Sequence, residues 1–288
     1  MKNRRATEEP VWVRYTLLAV GLGFLFFFLG LPLLAVFVEA FAQGWPAYVE
    51  ALKEPETRSA VFLTVVIALA VLPFNILFGV AAAWAIAKFD FRGKSLLLTL
   101  IDLPFAVSPV VAGLIFILIF GAQGAFGPWL SAHEIKIIFA VPGMIIATLF
   151  ITFPFIAREL IPLMQSQGKE EEEAAVSLGA SGWQMFWRVT LPNIKWGLLY
   201  GVILANARAM GEFGAVSVVS GHIRGETNTL PLHVEILYNE YNQIGAFAAA
   251  SVLALLALVT LVAKTIVEWR MKKETEMLNT VLAPEKTQ

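Results

Sequence analysis

Three polar side chains, Asn206, Arg208 and Glu212, stand in the otherwise mostly apolar run 196–219. A charge at the middle of a bilayer costs about 2.5–3.5 kcal/mol on insertion scales, so each of these groups must face a partner or a wet cavity. Arg208 and Glu212 are four positions apart, which puts them on one face of a helix, where opposite charges neutralise each other. Two roles stay open. The guanidinium either presents positive charge to a wet cavity, where it would attract an anion, or closes with Glu212 into an ion pair that fixes helix packing. Asp102, in the apolar run 96–120, would repel an anion and suits a structural or gating hydrogen bond. Ser108 and Pro109 in the same run offer a neutral donor and an interrupted backbone.

Other reactive groups are missing or badly placed. The 288 residues include no cysteine, which removes disulfides, thiolate metal ligands and thiol nucleophiles together. Gly93-Lys94-Ser95 has the ending of a phosphate-binding loop, but that loop needs a glycine five positions before Gly93, where Lys88 stands. The tripeptide reads instead as a basic turn whose Ser95 caps the next helix. His133, His222 and His233 have no partner at ligand spacing, so no metal site is expected. No nucleophile is paired with a base, and the expected role is one without covalent chemistry.

The elements that must hold these residues are membrane spans. Hydrophobic residues make up 58% of the chain and charged ones 15%, against about a quarter charged in soluble domains. Lipid is the solvent this composition requires. A net charge of -1 excludes the basic footprint of a nucleic-acid binder. A spanning helix needs about 20 mostly apolar residues, and the runs 15–38, 59–87, 96–120, 137–157, 196–219 and 246–267 meet that requirement. The expected fold is an all-α membrane protein of six transmembrane helices, with a transmembrane unit at 15–268 between tails at 1–14 and 269–288.

Ala40-Phe41-Ala42 after the first run has the form of a signal-peptidase site, with Lys2, Arg4 and Arg5 ahead of the run. The run is 24 residues long, whereas signal cores are about 7–15, so it reads as an uncleaved anchor. Fifteen of the 21 Lys and Arg residues fall on one side: Lys2, Arg4, Arg5 and Arg14; Lys88, Arg92 and Lys94; Arg158, Lys169, Arg188 and Lys195; and Arg270, Lys272, Lys273 and Lys286. The opposite loops hold four, Lys53, Arg58, Lys136 and Arg224. By the positive-inside rule, both termini are cytoplasmic. Pro73, Pro104, Pro109, Pro142 and Pro154 interrupt the spans, either as simple kinks or as signs of moving parts.

The cytoplasmic loop 158–195 is 38 residues long, far more than a turn needs. Within it, positions 170–178 favour a helix with acid in its first turn, and Gly179 stands where a helix-ending glycine belongs. Ser181 and Gln184 have the spacing of a capping box for a second short helix ended by Leu191-Pro192. Ala174, Ala175, Leu178, Trp183, Met185, Phe186 and Trp187 put apolar surface on this loop, and a partner protein is the natural place to bury it.

The loop resembles the cytoplasmic signature of binding-protein-dependent ABC importer permeases. That signature is E-A-A, three residues, G, nine residues, then I-x-L-P. This chain has Glu173-Ala174-Ala175, Gly179 and Val189-Thr190-Leu191-Pro192 at that spacing, with Val189 for Ile as the one departure. The resemblance implies a type I importer permease fold with its core at about 59–268. It also implies that Glu173 to Gly179 is a coupling helix seated on an ATPase. Positions 103–113, 179–186 and 207–221 and Arg224-Gly225-Glu226-Thr227 are similar to permeases of sulfate and thiosulfate importers, the W-type subunit more than its T-type partner. The A-R-A-x-G-E-F-G block at 207–214 is shared with molybdate and tungstate permeases, so it does not choose the oxyanion.

What the resemblance implies is a subunit of the bacterial inner membrane that binds no cofactor itself. Its implied partners are a second, T-type permease, two ATPase subunits carrying ATP and Mg, and a periplasmic or extracellular sulfate-binding protein. A secondary transporter driven by an ion gradient is the competing expectation, although it should show internal repeats and carry no docking loop.

Overall fold

The computed structural model describes residues 10–282, with side chains as far as Arg270. Lys2, Arg4, Arg5 and Lys286 lie outside the described residues, as do the side chains of Lys272 and Lys273. In chain order the helices are α1 (Val11–Ala40), α2 (Gly44–Lys53), α3 (Pro55–Lys88), α4 (Lys94–Ala106), α5 (Pro109–Phe120) and α6 (Gly127–Ala132). They continue as α7 (Val141–Gln167), α8 (Glu170–Ser177), α9 (Gly182–Met210), α10 (Gly214–Ser220), α11 (Leu230–Asn239) and α12 (Gln243–Leu282). Four of them, α1, α3, α7 and α12, are long and apolar enough to cross a membrane whole, and the bent pairs α4–α5 and α9–α10 raise the number to six. The fold is the expected all-α, six-span architecture.

The spans at 96–120 and 196–219 are broken rather than continuous. The α4–α5 pair bends by 107° and the α9–α10 pair by 51°. The first break falls at Val107 and Ser108, both extended, and not at Pro104, which lies inside α4. A residue before proline is pushed out of the helical region, so Ser108 ahead of Pro109 ends one half-helix while the proline opens the other. Pro142 likewise sits in the first turn of α7 and starts that helix instead of interrupting a span. Ser95 does not cap α4. Gly93, at φ +95, holds the cap position, and the helix begins at Lys94.

The 38-residue loop shrinks because both flanking helices run into it. α7 continues past position 157 to Gln167 because Ile156, Ala157, Leu160, Ile161 and Met164 keep burying one helical face. Leu191-Pro192 does not end a short helix. Pro192 has no N–H to donate and its ring crowds the Arg188 carbonyl, and the turn Phe186–Thr190 widens to a π-helix in which the Leu191 N–H reaches Phe186 O. α1 repeats the device, with a π turn at Phe26–Gly30 just before Leu31-Pro32.

The centre of the bundle is α3 against α7, with α9 laid across both. Without a hydrophobic drive between helices in lipid, close approach depends on small residues. A Cβ on Gly79 of α3 would lie 2.6 Å from Ile156 Cγ2 of α7, so only glycine lets these helices meet here. Buried Asn75 donates to Thr152 Oγ1 across the same seam at 2.9 Å. One apolar core joins Ile67 and Val71 to Met144, Ile151 and Val216, and a second, nearer α8, joins Ala83 and Ile86 to Leu160, Met164 and Ile194.

Candidate coupling surface and polar pathway

α8 forms because four glutamates, Glu170 to Glu173, fill its first turn and complement the helix dipole. It ends at Gly179, which adopts φ +91. The Gly179 N–H donates to Val176 O at 2.9 Å and the Ala180 N–H to Ala175 O at 3.0 Å, the paired bonds of a glycine-terminated helix. The capping box is formed: Ser181 Oγ accepts from the Gln184 N–H at 3.3 Å, and Gln184 Oε1 accepts from the Ser181 N–H at 3.0 Å. Glu173 and Ala174 are exposed and Ala175 is half-buried. Leu178 is 89% and Trp183 70% exposed, with Val176 and Trp187 also open, so this end of the molecule carries an apolar surface on short, rigidly ended helices. Phe186 differs, because it packs 5.2 Å from the Trp84 ring of α3.

The residue that fastens α8 is Glu172. Its side chain is only 11% exposed and pairs at 3.1 Å with Lys88, itself 8% exposed, at the last position of α3. Lys88 also donates to the Gly168 carbonyl at the end of α7. Thr190 Oγ1 donates to Glu172 Oε1 at 2.7 Å, and Asn193 Nδ2 donates to Glu171. Sequence reasoning missed this network. Four consecutive glutamates look alike in sequence, and only packing distinguishes the buried one.

The two broken spans meet at their breaks. A Cβ on Gly214 would lie 2.9 Å from Pro109 Cβ, and one on Gly113 would lie 2.8 Å from Val218 Cβ, so α10 rests on the start of α5 beside Ser108. Glu212 lies in the interruption between α9 and α10 and not within a continuous helix. Its Oε1 accepts from the Ala215 N–H at 2.9 Å, which satisfies an orphan donor at the start of α10. Its Oε2 lies 2.7 Å from Arg208 Nη2, but the N–H is not aimed at it, so the contact is an ion pair without an aligned hydrogen bond. Glu212 is sealed, with its side chain 1% exposed, while Arg208 keeps 35% of its own surface open. Asn206 Oδ1, a turn earlier, is buried without a hydrogen-bond partner. Asp102 is not part of this cluster. It pairs with Arg158 Nε of α7 at 2.7 Å, and that guanidinium also lies 4.9 Å from the Phe105 ring centre.

At the opposite end from α8, Arg224 bridges Glu56, at 3.2 Å, and Glu240. These carboxylates, the hydrogen bond to Glu240 first, raise the guanidinium pKa further. Ser59 Oγ donates to the Gly225 carbonyl at 2.7 Å and pins the same loop to α3. His233 on α11 is fully buried, 3.0 Å from Thr57 Oγ1 and 3.5 Å from Asn228 Nδ2, and burial lowers its pKa. His222 lies 3.6 Å from Glu235.

A helical bundle with two broken spans and an exposed, glycine-ended helix between its central spans fits a transporter permease. Residues 75–273 match the family of binding-protein-dependent transport system inner membrane components, and the chain belongs to that family. The sulfate transport system permease protein CysW of Escherichia coli K12 is 51% identical over 272 residues, 94% of each chain. CysW of Synechocystis is 56% identical over 258 residues, 90% of this chain and 94% of the relative. CysT of Escherichia coli K12 is more distant, at 36% over 234 residues, 81% of this chain and 84% of the relative. Among solved structures, a bacterial ABC transporter that imports the acidic polysaccharide alginate matches with a TM-score of 0.74 and 19% identity, covering 91% of this chain and 96% of that one. That likeness supports the type I importer permease fold.

Proposed function

We propose that this chain is the W-type permease subunit of an ATP-driven sulfate and thiosulfate importer, forming half of the translocation pathway. The observation that carries this reading is the 51% identity to a sulfate permease across 94% of both chains. The other half of the pathway is a T-type permease, in keeping with the weaker similarity to CysT. Of the complex's two ATPase subunits, one docks on the exposed face of α8 and the start of α9, through Glu173, Ala174, Ala175 and Leu178, with Gly179, Leu191 and Pro192 shaping that face. The ATPase subunits bind ATP and Mg, and a soluble receptor delivers the anion to the Arg224 end. Both termini and α8 face the cytoplasm.

In the pathway, Arg208 is the attracting charge. A sealed ion pair would hide both partners, yet here Glu212 is buried as an anchor for α10 while the Arg208 side chain keeps 35% of its surface open, and Asn206 Oδ1 on the same helix is buried without a hydrogen-bond partner. Ser108 lies where the two breaks meet. Asp102, tied to Arg158, takes a structural or gating part. The test is uptake of labelled sulfate by the reconstituted complex carrying R208M/E212Q, which removes both charges while the substituted amide carbonyl still accepts from Ala215. The expected result is normal assembly with ATP hydrolysis but little uptake. Full uptake removes Arg208 from the pathway.

A further inference from the structure

We infer that Lys88 is the positioning residue that makes α8 move with the spans, so that ATPase motion reaches the pathway. This rests on the proposed ATP-driven import and concerns how its force is transmitted. A helix of eight residues joined by short links at both ends follows its neighbours only if something fastens it to them. Its exposed side, where Val176 and Leu178 stand open, offers no such fastening. On the inner side a single buried ammonium reaches three elements: it lies at the end of α3, pairs with Glu172 of α8, and donates to Gly168 at the end of α7. The same carboxylate accepts from Thr190, and Glu171 accepts from Asn193, which adds the start of α9. Lys88 thus ties α8 to α3 and α7, the most closely packed helix pair in the bundle.

The geometry also separates holding the ATPase from transmitting its motion. Lys88 is buried on the inner side while the docking residues are exposed, so the ammonium can be removed without altering the surface an ATPase touches. A lone buried carboxylate left by K88M would be strongly destabilising, so the informative variant is the neutral pair K88M/E172Q, whose glutamine still accepts from Thr190. K88R, which keeps charge and donors, serves as the conservative control.

The experiment uses the full complex in vesicles and measures labelled sulfate taken up per ATP hydrolysed, together with the amount of ATPase that copurifies. The expected result for K88M/E172Q is normal copurification and hydrolysis with at least a tenfold fall in uptake per ATP, and for K88R a ratio within about twofold of the wild type. A merely structural Lys88 would lower the yield of complex and leave the ratio unchanged, and that result overturns the inference. Because the chain contains no cysteine, a second arm is available: K88C/E172C bridged by a thiol-reactive linker should recover coupling that the unbridged pair lacks. Failure of every bridge length to restore the ratio also overturns the inference. If the wild-type complex takes up sulfate without ATP, the functional reading itself fails, an outcome distinct from a wild type that couples and a variant that couples equally well.

Discussion

Among single residues, Arg208 and Glu212 show how much the sequence reveals and where it stops. Their spacing and apolar setting were enough to pick them out, and the structure pairs them at 2.7 Å. What the spacing could not reveal is that the helix ends between them, which turns Glu212 from a helix-face partner into an anchor for α10. Removing Glu212 alone should therefore cost toward the lower end of about 3–5 kcal/mol, since Arg208 is one-third open to solvent screening. E212Q should cost less than E212A, because glutamine still accepts from Ala215, and thermal unfolding in detergent tells the two apart. His233 gives a pH prediction. Its neutral form is favoured by burial and by nearby Arg224, while Glu56 and Glu240 pull the other way, and the net effect lowers its pKa below 6.5. The unfolded chain then takes up the proton first as pH falls, so His233 contributes stability above about pH 6.5 that is lost on acidification. The melting temperature should fall between pH 7 and 5.5, and H233Q should flatten that slope. An identical slope in the variant contradicts the assignment.

At the level of elements, apolar length located all six spans, but proline was a poor guide to where they break. Pro104 and Pro154 sit inside helices and Pro109 and Pro142 begin them, because the cost of proline depends on whether an N–H was needed at that position. The capping box and the glycine end of α8 were legible because they are local, depending on residues three to five positions apart. The Lys88–Glu172 tie, at a separation of 84 positions, was not. Three glycines at this scale yield contrasting predictions. G113V should push α5 from α10, since a Cβ there already meets Val218 Cβ at 2.8 Å, and overpacking of this kind costs about 1–3 kcal/mol. G179A has space around it but must hold φ +91, at about 1–2 kcal/mol, and should weaken coupling, whereas G182A, which has space and no such backbone demand, should couple normally. Thermal unfolding in detergent checks G113V, uptake per ATP hydrolysed checks the other two, and equal ratios for G179A and G182A would remove the backbone argument.

On the scale of the whole molecule, the fold, the family and the relatives converge on a membrane permease of a binding-protein-dependent transport system. Much of α1 is exposed along its length, and the apolar end beside α8 lies open. Orientation can be tested directly: a reporter after Arg270 should be cytoplasmic and one between Gly221 and Tyr241 external, and the reverse labelling would place α8 on the wrong side for an ATPase. The most direct test of the central claim is labelled sulfate uptake into vesicles holding the complete complex, with ATP on the α8 side and sulfate-loaded receptor on the Arg224 side. Uptake that needs both ATP and receptor, and that disappears when Leu178 is replaced by Asp to spoil the docking face, is the predicted result. Uptake that proceeds without ATP on an imposed ion gradient, or an ATP-driven flux that carries molybdate but not sulfate, would contradict it.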